Sequence, residues 1–452
     1  MIGIGGCGMS GLAEVLSHYG ARVSGTDRIA SAVTTRLARS GTTVEIAEQP
    51  GPLPDGVELV VVSSAVPASH RQLVEARAIG GEVLKYAQLL GRLMAERVGV
   101  AVAGTHGKST TTAWTTYLLR QAGLDPTFVI GANVPQLGGG AAVGGGEHFV
   151  AEACEYDRSF LGLNFHFGVI LNVEEDHLDY YDRTDEIDEA FADFARRTDK
   201  TGVMLLNRDD PRTWQLADRV EATVKTIGID HPSTWRAVDL VNERGCFSFA
   251  IAHDGTRIAT TTLRLPGRHH VYNALAAAAL AHHCGVAPKR IGTALRTFDG
   301  ASRRLTLMGD AGGVTILDDY AHHPTEVAAT LTAAREHYAP RKLRVVFQPH
   351  QHSRTRAFLD EFADSLTNVD EVIVPDIYFV RDDVAERDLV GADDLVTRIS
   401  KKGGRARHVR AFQDIVNQLA EATRDGDVVI TMGAGDIWKV ADELANRLRA
   451  DH

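Results

Sequence analysis

The chain has 452 residues, of which 44% are hydrophobic, and a formal net charge of −11. At roughly 150 residues per domain this length predicts about three domains, and the apolar share is enough to fill packed cores. The negative balance argues against loose nucleic-acid binding, so an anionic ligand has to be held by local groups.

No apolar run is long enough to span a membrane, and the glycine-rich start lacks the basic head and apolar block of a secretory leader. The expectation is a cytoplasmic protein without membrane insertion, a monomer or homodimer. Cys7, Cys154, Cys246 and Cys284 never fall in a CxxC pair, which predicts free thiols rather than a cysteine-bound zinc or a disulfide framework.

Residues 1–96 alternate short apolar runs with helical patterns. The run 59–62 reads as a buried strand and Leu12 to Tyr19 as a helix ending at Gly20. The opening turn carries Gly5, Gly6, Gly8, Met9 and Ser10, and Asp27 closes the next strand, as in a dinucleotide-binding unit. Tight strand–helix packing is the alternative use of such a turn. Only Met1 and Ile2 precede Gly3, too few for a full first strand, so a start further upstream is expected to complete the sheet.

Residues 97–302 open on an apolar strand, 98–103, that breaks into Gly104-Thr105-His106-Gly107-Lys108-Ser109-Thr110. This is a phosphate cradle. The glycines admit an anion close to the backbone amides, the following helix points its positive end at that anion, Lys108 adds a cation, and Ser109 can hold a magnesium ion. Val102 stands where the usual pattern has its first glycine, so the loop is a variant. Further strands at 149–151, 169–171 and 203–206 end in polar residues, which makes Glu152, Glu155, Asn172 and the Asp176-His177 pair candidates for chemistry. Ser109 and Glu152 are expected to hold one magnesium by oxygen ligands and His177 to reach a second metal, with Glu155 in a supporting place. The glycine-rich run 138–146 reads as a flexible surface loop.

Residues 303–452 carry another alternating set, with strands at 314–317, 343–347, 372–374 and 428–430. The charged stretch 381–388 reads as a solvated loop. The whole chain is therefore expected to be α/β, in three units each with a largely parallel sheet flanked by helices: Rossmann-like, phosphate-loop ATPase, Rossmann-like.

Taken together, the opening run 3–16, residues 63–66, the cradle, Glu152 to Glu155, the block 172–179, residues 265–269 with Asn273, Ser302-Arg303-Arg304, the block 318–326, and 347–350 with 353–356 resemble the Mur ligases of cell-wall synthesis over nearly the full length. The resemblance implies a UDP-binding first unit (1–96), a central ATPase (97–302) and a closing third unit (303–452). It implies ATP and Mg2+ as cofactors, UDP-N-acetylmuramate and L-alanine as substrates, and an acyl phosphate that the amine of alanine attacks.

By motif position it places Lys108, Glu152, His177 and Arg304 in catalysis, with Asn273 near the adenine, Arg304 at the γ-phosphate and Asp319 at the ribose. Tyr320, His322, His323 and Arg354 are placed on the muramoyl and amino-acid side, and the opening glycines with Asp27 and Ser64 on the UDP moiety. Later-step siblings carry a carbamylated lysine after the DH pair, and 179–197 contains no lysine. The glycine turn speaks against a folate-type ligase. Glu155-Tyr156-Asp157 keeps a murein-peptide ligase open as an alternative. A non-catalytic nucleotide-binding relative also stays open, whereas an oxidoreductase reading rests on the opening turn and Asp27 alone.

Against the family pattern, His270 replaces an asparagine, Cys154 an aspartate and Gln351 an arginine, while Phe379-Val380-Arg381 replaces a small-residue turn. Arg381 is expected to take over the lost carboxylate contact, with L-alanine accepted and glycine or L-serine competing more closely.

Overall fold

The computed structural model describes residues 1–181 and 183–450. In the first unit, strand Ser24–Asp27 pairs in parallel with Thr43–Ile46, and Leu59–Val62 with Glu82–Lys85. Ile2 joins the two pairs by parallel bridges to Thr26 and Val62. It forms no strand, because the chain turns at Gly3 (φ 78°) into the helix Cys7–His18. The four cysteines are unpaired, as expected.

The central sheet has ten strands. Val98–Ala103 lies in its middle between His148–Glu152 and Phe165–Ile170, all parallel. These strands are nearly all buried, as apolar runs covered on both faces must be. One face packs against the helices Lys108–Gln121 and His269–His283, around Trp114, Phe128 and Phe298. The other packs against Thr184–Arg196, around Phe160, Phe165, Phe191 and Phe194. Beyond Trp235 the sheet ends in antiparallel hairpins that the alternation reading did not anticipate.

The helix Tyr86–Ala95 ties the first unit to the second, because its Leu90 and Met94 lie in the central core. A Cβ on Gly91 would come within 1.8 Å of the Gly162 carbonyl oxygen, so this contact admits only glycine.

The run 138–146 is corrected by the fold: Ala141–Ala142 forms an edge strand, antiparallel to Thr127–Val129. Gly11 of the first helix lies against it, where a Cβ would sit 2.9 Å from that of Ala141. These glycines permit close packing of backbone on backbone rather than mobility.

The third unit is a six-stranded sheet, parallel except for the edge strand Thr306–Ala311, with helices on both faces. The polar end of its strand Val314–Asp319 lies beside the cradle of the central unit, since Asp319 lines one cavity with His106 and Gly107.

Candidate active site

The cradle forms as the strand–glycine–helix pattern dictates. Gly104 (φ 138°) and Gly107 (φ 83°) take conformations closed to other residues, and Gly107 precedes the helix Lys108–Gln121. Asn172, just after the neighbouring strand Phe165–Ile170, reads both backbone groups of His106: its Oδ1 accepts from the amide at 2.7 Å and its Nδ2 donates to the carbonyl at 3.2 Å. Lys108 donates to the carbonyls of Gly104 (2.6 Å) and Thr105 (2.9 Å) and to Glu155 at 2.9 Å. Burial works against its charge, but the Glu155 carboxylate more than offsets this and raises its pKa.

Beside the cradle lies a cavity lined by His106, Gly107 and Thr110, by Tyr272 and Asn273, and by Arg304, Asp319 and Glu326. Two units thus bring the sequence-predicted nucleotide residues together. The approach is tight, since a Cβ on Gly107 would meet Asn273 Oδ1 at 2.5 Å. His270, the departure from the family pattern, is buried against Trp114 with Asn273 Nδ2 at 3.4 Å. Burial holds its imidazole neutral, well below the usual histidine range.

Arg304 lines the cavity, whereas Arg303 is a structural residue that donates to buried Asp318 (2.9 Å) and the Gly433 carbonyl (2.6 Å). Asp319 accepts from the amides of Leu305 and Ala321, both at 2.7 Å, and burial pushes its carboxyl up to about 6.

Glu155, not Glu152, is the carboxylate that touches both Lys108 and His177, the latter at 3.5 Å from His177 Nε2. His177 sits at φ 55°, and its Nδ1 is buried without a hydrogen-bond partner. Glu152 faces a second cavity, accepting from the Gly131 amide at 2.8 Å. That cavity is lined by Gly6, Gly8, Met9, Ser64, Tyr86 and Cys154 among others, so the opening turn and the end of the Glu152 strand share one hollow. Asp27 lies behind the turn, accepting from the Gly5 amide at 2.8 Å. Ser10 turns its hydroxyl back to the Cys7 carbonyl, and Ser64 Oγ lies 3.3 Å from Ser159 Oγ. Asp27 and Ser10 thus build the turn rather than line the hollow.

The third unit closes over this centre. Arg354, expected on the substrate side, is buried and donates to Asp176 Oδ1 through Nε (3.1 Å) and Nη2 (2.6 Å). Arg381 (φ 55°) lies 4.7 Å over the Tyr156 ring, which in turn packs 5.0 Å from the His177 ring. Gln351 is 1% exposed at φ 70°, with its Nε2 unpartnered. His322 is held neutral by burial, at about 4, and its Nδ1 faces the Tyr320 carbonyl at 3.1 Å. Tyr320 lies between Arg303 and Arg304, whose guanidinium carbons stand 4.9 and 5.4 Å from its ring. Non-glycine residues with positive φ (His177, Arg303, Leu305, Gln351 and Arg381) gather at this junction, as strained backbone does at functional sites.

Sequence reasoning gave no role to Glu174 or Glu326. Both hold His106, whose Nδ1 is 3.1 Å from Glu326 Oε1 and whose Nε2 is 3.4 Å from Glu174 Oε2. The spacing of His322 and Glu326, four residues apart across the start of the helix Pro324–Tyr338, was the available signal. Asp209, also missed, accepts three backbone amides (229–231) and the Tyr272 hydroxyl beside the cavity.

Comparison with known proteins agrees with this geometry. The family models described as "Mur ligase family, catalytic domain", "Mur ligase middle domain" and "Mur ligase, glutamate ligase domain" match residues 1–98, 102–281 and 303–435. The UDP-N-acetylmuramate--L-alanine ligase of Caldanaerobacter subterraneus subsp. tengcongensis is 39% identical over 445 residues, covering 98% of this chain and 96% of that protein. The corresponding ligase of Clostridium novyi is also 39% identical, covering 98% and 95%.

Among solved structures, the UDP-N-acetylmuramate-alanine ligase of Thermotoga maritima superposes with a TM-score of 0.83 at 26% identity, covering 100% of this chain and 99% of that one. A murein peptide ligase of Psychrobacter arcticus gives 0.74 at 26%, covering 99% and 98%. With all three units matched in order and relatives this similar along almost their whole length, the chain belongs to the Mur ligase family.

Proposed function

We propose that this protein is the ATP-dependent ligase that joins L-alanine to the lactyl carboxylate of UDP-N-acetylmuramate in peptidoglycan precursor synthesis. The observation that carries the reading is a continuous line of polar groups. It runs from the nucleotide cavity through Lys108, Glu155 and His177, while Glu152 stands on the wall of the first unit's hollow. A phosphoryl donor in the first cavity and a sugar nucleotide in the second would meet at that line.

In the first step, a lactyl carboxylate oxygen attacks the γ-phosphorus of ATP; the bond to the β–γ bridging oxygen breaks and ADP leaves. In the second, the amine of alanine attacks the acyl carbon, loses a proton and expels phosphate. The mixed anhydride replaces an oxide leaving group by phosphate, so one difficult substitution becomes two feasible ones. The cradle amides and Lys108 hold the triphosphate, and Arg304 faces the transferring group from the other unit, supplying fixed positive charge where negative charge develops.

Ser109 and Glu152 would hold Mg2+, and His177 would reach a second metal ion. The oxygen donors fit magnesium, a hydroxyl at the helix start and a carboxylate at a strand end, while the buried Nδ1 of His177 has no hydrogen-bond partner among the described residues. The ion supplies charge neutralisation on the phosphates. Arg381, stacked on Tyr156 beside His177, would receive the carboxylate of the incoming amino acid.

Oxygen-18 in the lactyl carboxylate tests the chemistry. The acyl-phosphate route delivers one label to the released phosphate per amide formed; unlabelled phosphate excludes it.

A further inference from the structure

His106, Glu174 and His323 meet at the edge of the nucleotide cavity, from the cradle, the segment after the Asn172 strand, and the start of the helix Pro324–Tyr338. Each offers one ligand atom within 4.8 Å of the other two, and Glu174 Oε2 lies 3.4 Å from His106 Nε2 and 3.8 Å from His323 Nδ1. Ligands on a tetrahedral zinc ion, at about 2.0–2.2 Å from the metal, stand roughly 3.3–3.5 Å apart, so small side-chain adjustments close this triangle on an ion.

The second nitrogens are already fixed as they are in zinc sites, where the ring edge opposite the metal donates to a carboxylate or backbone carbonyl. His106 Nδ1 lies 3.1 Å from Glu326 Oε1, and His323 Nε2 lies 3.0 Å from the Glu175 carbonyl oxygen. That second bond makes Nε2 the protonated nitrogen of His323. Its Nδ1 therefore carries the lone pair on the triangle side, where it accepts only a long bond from the Thr325 amide at 3.3 Å.

We propose that His106, Glu174 and His323 bind one transition-metal ion of the zinc class, separately from the magnesium that accompanies the nucleotide. Two imidazoles and one carboxylate suit zinc or cobalt and poorly suit magnesium, which takes oxygen ligands in octahedral geometry. Because His106 belongs to the cradle and His323 to the third unit, the ion staples the two across the mouth of the nucleotide cavity. Zinc at this position inhibits by opposing nucleotide entry, so ATP raises the zinc concentration needed for inhibition.

The test is equilibrium dialysis of the full-length protein against Zn2+ with excess Mg2+ throughout, together with visible spectra after Co2+ is added in its place. The expected result is one zinc retained per chain and the intense bands of four-coordinate cobalt. His323→Asn, which keeps an N-capping oxygen for the helix but removes the imidazole, should lose both, with affinity falling at least tenfold. Glu326→Gln, which leaves all three ligands in place, should weaken zinc by about tenfold or more through His106 alone. Equal zinc retention by wild type and His323→Asn overturns the proposal. So does complete displacement of zinc by Mg2+, or the weak spectrum of six-coordinate cobalt.

Discussion

Arg354 and Asp176 stand 178 positions apart in the chain, yet both Nε and Nη2 of the arginine converge on one oxygen of the aspartate, and both side chains are buried. Burial disfavours the Asp176 charge, but His177 and the Arg354 guanidinium beside it hold the carboxyl well below the usual range. This pair latches the third unit onto the segment that presents His177.

Removing one partner strands a buried charge, which typically costs about 3–5 kcal/mol. Arg354→Ala should therefore lower the thermal midpoint and reduce turnover far more than it weakens nucleotide binding. The double variant Asp176→Ala/Arg354→Ala should be less destabilised than the sum of the single variants, and strict additivity in that cycle would show that the pair is not coupled.

A pH signature follows from His106. Burial opposes its charge, but Glu174 and Glu326 raise it to about 9 from an ordinary 6.5. A raised histidine contributes stability that is complete below its unfolded pKa and disappears as pH rises through the folded one. Unfolding free energy should thus fall between about pH 6.5 and 9, by an amount on the order of 3 kcal/mol. Glu326→Gln should flatten that fall. Parallel curves for wild type and variant would show that His106 does not carry the effect.

Lys108→Ala should reduce ligation by about 100-fold or more while leaving UDP-sugar affinity within a few-fold, because Lys108 belongs to the cradle and does not line the hollow between the opening turn and the Glu152 strand. Phosphate release and calorimetric titration with UDP-N-acetylmuramate measure the two. Near-normal turnover would remove the cradle from the mechanism.

For His177→Ala, the concentration of Mg2+ giving half-maximal rate should rise, since the unpartnered Nδ1 is lost as a donor. Rates measured across a magnesium series decide this. An unchanged magnesium dependence assigns His177 to a purely structural place beside Tyr156.

Much of this site is legible in one sequence because its parts are local. The strand-to-helix glycine turn, the polar residues at strand ends, and the Asn273, Arg304 and Asp319 motifs each announce themselves, and the fold gathers these three at one cavity. What escapes is set by distant contacts. Nothing near Glu155 says that it, rather than Glu152, will lie between Lys108 and His177. Nor does the Arg354 motif reveal that its guanidinium is spent on Asp176. The run 138–146 misleads for a related reason: Gly140, Gly144 and Gly146, which look flexible in sequence, lie against the backbone of Ala132, Asp125 and Leu124, where a Cβ would clash.

The central claim is tested most directly by steady-state turnover with UDP-N-acetylmuramate, ATP and a panel of L-alanine, glycine, L-serine and the meso-diaminopimelate tripeptide. L-Alanine should give the highest kcat/KM, with glycine next, since a missing methyl is worth only about 1–3 kcal/mol. Arg381→Ala should raise the KM for alanine by about tenfold or more, as loss of a charged hydrogen bond does. Exclusive use of the tripeptide, or no turnover with any member of the panel, would contradict the account.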